Sequence, residues 1–246
     1  MIRPRLRWPA RAAAALAAGL LVLGAGVPAT RRGLGGAQAS ADDAPMPGMA
    51  MSHHPDSAAA GFYDPDSGVE LIGRPAPPWR FQRWVRGGPL TQEQLRGKVV
   101  LMRFWTEDCR FCTATLPALE DLRRRFGDRG LVVIGAFHPP RAHEKRSDAR
   151  IVAVADSLGF GGPIACDQDW QTLDRWWLDG HPDRNWVSVS FLIDRDGIVR
   201  WVHGGGEYHP SDDPRHQRCD VKFHELEAAL EPLLAAGAGD PSSRSR

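Results

Sequence analysis

The sequence predicts an α/β fold in which a central mixed sheet is flanked by helices on both faces. Two observations carry this expectation. Short apolar runs at 99–104 and 131–136 are separated by a stretch with helical spacing, and an Asp-Gly turn at 194–197 joins two further strand-like runs. The chain has 246 residues, 42% of them hydrophobic, which is enough for one core of ordinary domain size plus tails.

Val99, Val100, Leu101, Met102 and Phe104 make 99–104 a buried strand. Leu116, Leu119, Leu122 and Phe126 then recur at helical spacing, with Glu120, Asp121 and Arg123 to Arg125 on the opposite face, and Pro117 is expected to kink this helix. A second buried strand, 131–136, ends at Pro139 and Pro140, which force an irregular turn. The pattern continues with a helix at 149–158, a short strand at 163–166 and a helix or helical turn at 170–178. Strands at 187–193 and 198–203 flank the Asp-Gly turn, and Leu226, Leu230 and Leu233 mark a closing amphipathic helix over 223–234. The sequence contains no internal repeat.

Cys109 and Cys112 stand at the strand-to-helix junction after the first apolar run. At this spacing two thiols in the first turn of a helix can close a disulfide with little backbone movement, and the helix N-terminus favours a thiolate on the first. The same pair is also compatible with half of a zinc site or with inert core cysteines. The other cysteines, Cys166 and Cys219, lie far apart in the sequence.

The segment Phe104-Trp105-Thr106-Glu107-Asp108-Cys109-Arg110-Phe111-Cys112-Thr113-Ala114-Thr115-Leu116-Pro117 resembles the active-site segment of the thioredoxin-like redoxin family, in particular exported TlpA/ResA-like thiol-disulfide oxidoreductases. The resemblance extends to Leu95-Arg96-Gly97-Lys98 before the active-site strand, Gly73-Arg74-Pro75-Ala76-Pro77 near the N-terminal lead-in, Gly130-Leu131-Val132-Val133-Ile134-Gly135, and Phe191-Leu192-Ile193-Asp194-Arg195-Asp196-Gly197. It covers residues 69–235. The resemblance implies a thioredoxin-like fold with Cys109 as the exposed nucleophile and Cys112 as the resolving thiol. It implies no cofactor beyond a redox-active disulfide and no metal ligand. The implied partners are protein disulfide substrates and a membrane thiol-electron donor.

Several positions depart from the family pattern. Ser188 stands where thioredoxins carry a cis-proline beside the disulfide, so the preceding bond is expected to be trans and the substrate groove reshaped. Arg103 replaces a buried acid, and Thr115 a glutamate found in several ResA-like proteins, so a proton relay through those acids does not carry over. Asp108 replaces a tryptophan, giving the rim a more acidic character. Arg110 and the helix N-terminus should favour the Cys109 thiolate, whereas Glu107 and Asp108 should oppose it. By the resemblance, the glycine run including Gly204 falls on the active-site edge of the sheet, where it is expected to help bind substrate backbone. Together Ser188, Gly204, Asp108 and Arg110 form the expected substrate-binding set.

The terminal segments carry further expectations. Arg3, Arg5, Arg7 and Arg11 precede an apolar stretch at 12–29, so residues 1–39 read as a signal peptide or N-terminal membrane anchor and the protein as periplasmic or otherwise extracytoplasmic. Residues 40–66 read as a flexible linker, 67–236 as the folded domain and 237–246 as a disordered tail. The linker contains Met46, Met49, Met51, His53 and His54, soft ligands of the kind that select Cu(I). A copper-handling chaperone that uses this tract and the thiols is therefore the main rival reading, followed by a thiol peroxidase. A disulfide between Cys166 and Cys219 stays open, as does metal ligation by His203, His209, His216 and Cys219, against which stands simple solvation of loop histidines. A formal net charge of +1 gives no general attraction to nucleic acid.

Overall fold

The computed structural model describes residues 64–107 and 109–236. Six strands form one mixed sheet: β1 (Arg83–Arg86), β2 (Val99–Trp105), β3 (Leu131–Phe137), β4 (Ile164–Cys166), β5 (Ser190–Ile193) and β6 (Val199–His203), in the spatial order β1-β4-β3-β2-β5-β6. The long helices are α1 (Arg110–Phe126), α2 (Asp148–Ser157) and α4 (Gln217–Ala235), and α3 (Gln171–Leu173) continues as a π-helical turn over Asp174–Leu178.

β2 is the centre of this arrangement because every one of its residues is buried, as its near-continuous apolar sequence requires. It runs parallel to β3 from Val99 opposite Leu131 to Trp105 opposite Phe137, and antiparallel to β5. β4 extends the parallel side and β6 the antiparallel side. The two-residue period of β2 sends Val99, Leu101 and Trp105 to one face and Val100, Met102 and Phe104 to the other. The first face is covered by Leu116, Leu119 and Leu122 of α1, Ile151 and Ala155 of α2, and Phe223, Leu226 and Leu230 of α4. The second is covered by Leu173, Trp176 and Trp177 around α3 and by Trp79, Phe81 and Leu95 from the segment before β2. Helical residues thus cover both faces, but the long helices share one. Burying each leucine on the α1 stripe contributes about 1.5–3 kcal/mol.

Most boundaries fall within a few residues of the sequence expectation, with informative exceptions. β1 was not legible in the sequence: it is a short, half-buried edge strand paired antiparallel with β4, and that pairing is long-range. α4 begins at Gln217, six residues before the expected start, following the 3-10 turn Pro214–His216. α1 runs through Pro117 without a break. The turn after β5 forms as expected: Gly197 adopts φ 80° and its amide donates to the Asp194 carbonyl, while Asp194 Oδ1 accepts from the amides of Asp196 and Ile198, each at 2.9 Å.

Residues 64–66, the end of the expected linker, are packed rather than loose. The Pro65 carbonyl accepts from the Gly204 amide at 2.9 Å, and Lys222 Nζ lies 2.6 Å from Asp66 Oδ1. The expected signal or anchor, the Met/His tract and the C-terminal tail lie outside the described residues. Among the described residues no helix is long and apolar enough to cross a membrane.

Candidate active site

The cysteine pair sits where the central strand β2 hands over to helix α1. Cys109 is the N-cap of α1, with φ −94° and ψ 106°, and its Sγ accepts from the Cys112 amide at 3.3 Å. The amides of a first helical turn lack intrahelical acceptors, so a negative sulfur at this position satisfies donors that would otherwise go unbonded. Cys109 is partly exposed, whereas Cys112, one turn inside, is fully buried. The chain therefore presents one thiol outward and keeps its neighbour in the core.

Arg103, two residues before the end of β2, lies beneath the pair with 0% exposure. Strand alternation places it on the α1-bearing face between Leu101 and Trp105. Its Nη1 donates to the Ser188 carbonyl at 2.7 Å and to Ser190 Oγ at 3.3 Å, and its Nη2 to the Gly206 carbonyl at 2.8 Å and the Phe111 carbonyl at 3.4 Å. The Tyr208 ring centroid is 5.5 Å from the guanidinium carbon. These acceptors are neutral, so among the described residues the buried cation is held without a carboxylate partner. Such an arrangement costs several kcal/mol unless anionic character develops nearby. The Cys109 thiolate supplies it.

The two thiols are driven in opposite directions. A hydrogen bond from the Cys112 thiol is the largest influence on Cys109; burial opposes it, and the Arg103 charge and the amides of Cys112 and Phe111 reinforce it, holding Cys109 down at about 6. Burial is the largest influence on Cys112, and the hydrogen bond and charge of Cys109 add to it, so its thiol stays protonated well above the usual range. Neither nearby buried imidazole competes for the proton. Burial, reinforced by Arg103, lowers His138 to about 4 and His203 well below its ordinary value.

The other expected site residues are distributed differently from the sequence reading. Arg110 is exposed and lies over the Phe111 ring at 5.0 Å, so the cation acting on Cys109 is Arg103 instead. The Glu107 carboxylate is held by Arg146 and by Arg150, the latter at 2.7 Å, which offsets the repulsion it would exert. Asp108 lies outside the described residues. Ser188 does reach the neighbourhood of the pair, and the only cis peptide among the described residues is Gly88–Pro89, so the bond before Ser188 is trans. Its side chain is 4% exposed, however, and its Oγ accepts from the Gly206 amide at 3.3 Å. The Ser188 side chain therefore fixes the loop after β6.

Gly204 is likewise packed against other parts of the chain. Its amide donates to Pro65, its carbonyl accepts from Trp186 Nε1, and a Cβ there would approach the Ser67 carbonyl to 2.5 Å. The position needs glycine because the segment at 64–67 lies against it. Thr115 is buried with its Oγ1 donating to the Phe111 carbonyl at 2.9 Å and accepting from the Tyr208 amide at 3.3 Å. Trp105 is fully buried against Phe137 at 5.1 Å. Cys166 and Cys219 are not joined: Cys166 ends β4 and Cys219 lies on α4 beside Glu207 and His216.

Residues 72–202 match the AhpC/TSA family and so include the pair, β2 and both strands of the closing hairpin. The chain belongs to the AhpC/TSA family. It is 34% identical over 125 residues to the protein DipZ of Mycobacterium tuberculosis, a match that covers 50% of this chain and 17% of DipZ. It is 27% identical to the thiol-disulfide oxidoreductase YkuV of Bacillus subtilis, over 55% of this chain and 86% of that one. A candidate thiol:disulfide interchange protein DsbE from Chlorobium tepidum superposes with a TM-score of 0.50 at 21% identity, covering 66% of this chain and 97% of the other, and shows the shared thioredoxin-like fold.

Proposed function

We propose that this AhpC/TSA-family chain is an exported thiol-disulfide oxidoreductase that reduces disulfides in protein substrates. The observation that carries the reading is the split between the two thiols: a partly exposed Cys109 held at about 6 beside a fully buried, protonated Cys112. At pH 7 such a thiol is roughly nine-tenths thiolate, the form that attacks disulfides. The name of YkuV, a thiol-disulfide oxidoreductase, supports the same class.

In the first step the Cys109 thiolate attacks one sulfur of a substrate disulfide, forming a mixed disulfide and expelling the other substrate sulfur as a thiolate. Cys109 has then lost its negative charge, so the influence that kept Cys112 protonated is gone while Arg103 remains. Cys112 gives up its proton, to water or to the departing thiolate, and attacks Cys109 Sγ. The second substrate thiol leaves, and the chain holds a Cys109–Cys112 disulfide. Two electrons have passed to the substrate. A dithiol donor at the membrane restores the reduced pair by the reverse exchange.

The proposed reductase direction is supported by how strongly the thiolate is favoured. Stabilising the thiolate stabilises the reduced pair and makes it more oxidising, and a value of about 6 for Cys109 lies nearer the roughly 7 of thioredoxin than the roughly 3.5 of DsbA. Export rests on the basic and apolar leader at 1–39 in the sequence.

The test is trapping. Cys112→Ser should accumulate mixed disulfides between Cys109 and partner proteins, and Cys109→Ser should accumulate none. Greater alkylation of Cys112 than of Cys109 in the reduced protein would reverse the assigned roles. A measured reduction potential near roughly −270 mV supports the reductase direction, and one near about −120 mV overturns it. Exchange activity that is lost on chelation, with Cu(I) bound stoichiometrically, would replace this reading with copper handling.

A further inference from the structure

Away from the cysteine pair, four ligating side chains converge where the loop after β6 meets the start of α4. We propose that Glu207, His209, His216 and Cys219 form a binding site for a divalent transition ion of the zinc class. Each offers one donor atom, and these atoms all lie within 4.8 Å of one another. His216 Nδ1 is 3.5 Å from Glu207 Oε1, Cys219 Sγ is 3.7 Å from both Glu207 Oε1 and His216 Nδ1, and the two imidazole centroids are 5.0 Å apart. Tetrahedral zinc with its ordinary bond lengths separates donor atoms by about 3.3–3.6 Å. Three contacts already fall close to that spacing, and an inward side-chain movement of about 1 Å completes the set.

The local chain geometry explains why the donors converge. Glu207 and His209 are two positions apart in the non-helical segment after β6, and their donor atoms face those of His216 and Cys219. His216 and Cys219 are three positions apart across the junction of the 3-10 turn with α4, which stacks them on one helical face. His209 Nδ1 donates to the Pro210 carbonyl at 3.1 Å, fixing the tautomer and leaving Nε2 with its lone pair for an ion.

The donor chemistry selects the ion class. Two imidazoles, a thiol and a carboxylate are the ligand types zinc takes, whereas magnesium and calcium require oxygen donors throughout. As a bare hydrogen-bonded cluster the group is loose, because the His216–Glu207 contact at 3.5 Å exceeds the ordinary 2.7–3.2 Å range. All four residues are half-buried, which gives an ion both shielding and access.

An ion here would clamp the loop that supports Arg103. Tyr208 lies between two of the ligands, its hydroxyl shares a 2.8 Å hydrogen bond with Ser190 Oγ, and its ring faces the Arg103 guanidinium. The site uses neither Cys109 nor Cys112, so it stands or falls independently of the oxidoreductase reading.

The experiment is calorimetric titration of the reduced, metal-stripped full chain with Zn2+. One ion per chain should bind to the wild type, to Cys109→Ser/Cys112→Ser and to a variant lacking residues 46–54. Cys219→Ser and His216→Ala should each weaken binding by at least the roughly tenfold that loss of a mere outer partner costs. Glu207→Gln keeps shape and hydrogen bonding, and should also weaken it should the other variants fail to fold. Co2+ should produce a thiolate-to-cobalt charge-transfer band that persists without the cysteine pair and disappears in Cys219→Ser. Absence of binding, or binding that follows Cys109 and Cys112 or the 46–54 tract, overturns the proposal.

Discussion

Cys109 and Cys166 occupy comparable places and behave in opposite ways. Both lie at the C-terminal edge of the parallel strands, Cys109 shortly after β2 and Cys166 as the last residue of β4, where ligands and chemistry collect in open α/β sheets. Cys109 is held down at about 6 by the Cys112 thiol, Arg103 and the first-turn amides of α1. Cys166 is pushed up to about 11, chiefly by burial, with Asp148, Asp167 and Asp169 adding to the effect and only Arg83 opposing it. Position on the sheet edge therefore does not make a thiol reactive. The Cys112 thiol, the first-turn amides and the Arg103 charge set Cys109 apart.

The sharpest way to break this comparison is to measure both thiols. Their thiolate fractions at pH 7 differ by about 10⁴-fold, so alkylation of Cys109 should rise with a midpoint near pH 6 while Cys166 stays unlabelled until strongly alkaline pH. Mass spectrometry after a short iodoacetamide pulse at stepped pH reads both. Comparable labelling at pH 7 would remove the electrostatic account.

Activity should separate them almost as far. Cys109→Ala should lower disulfide exchange by on the order of 10³-fold or more, because the attacking sulfur is lost, while Cys166→Ala should leave the rate within about twofold. An insulin-reduction assay checks both variants.

Arg103→Met tests the cause rather than the consequence. Removing the buried cation destabilises the Cys109 thiolate, so its alkylation midpoint should rise from about 6 to on the order of 7, with Cys166 unchanged. A less favoured thiolate is a less favoured reduced state, and the potential of the pair should fall by roughly 30 mV. An unchanged midpoint would show that the helix terminus and the Cys112 thiol suffice.

The smallest effect belongs to Ser188. Ser188→Ala removes only the hydrogen bond from the Gly206 amide, so it should cost about 1 kcal/mol in denaturant unfolding without shifting the Cys109 midpoint. A large kinetic effect with normal stability would instead restore the side chain to the substrate surface.

Much of this molecule is determined by local sequence. The all-apolar character of 99–102 makes a buried strand, the leucine spacing after Cys109 makes a helix, and Asp194 with Gly197 makes a turn whose hydrogen bonds lie within five residues of one another. Two cysteines three positions apart at the strand-to-helix junction follow from the same periodicities, so the candidate pair and its placement were legible. These features require no information from distant parts of the chain.

Only the tertiary structure decided what surrounds the pair. Arg103 reads in sequence as a missing acid. It becomes a counter-charge because Ser188, Phe111 and Gly206, brought together by strand pairing and by α1, supply carbonyls that let a cation remain buried. Arg110, adjacent to Cys109 in sequence, points away to Phe111, and Gly204 is consumed by Pro65, more than a hundred residues earlier. The sequence shows which residues carry chemistry, because residue type and period are local. Which charges reach them depends on distances between strands and helices that no local pattern records.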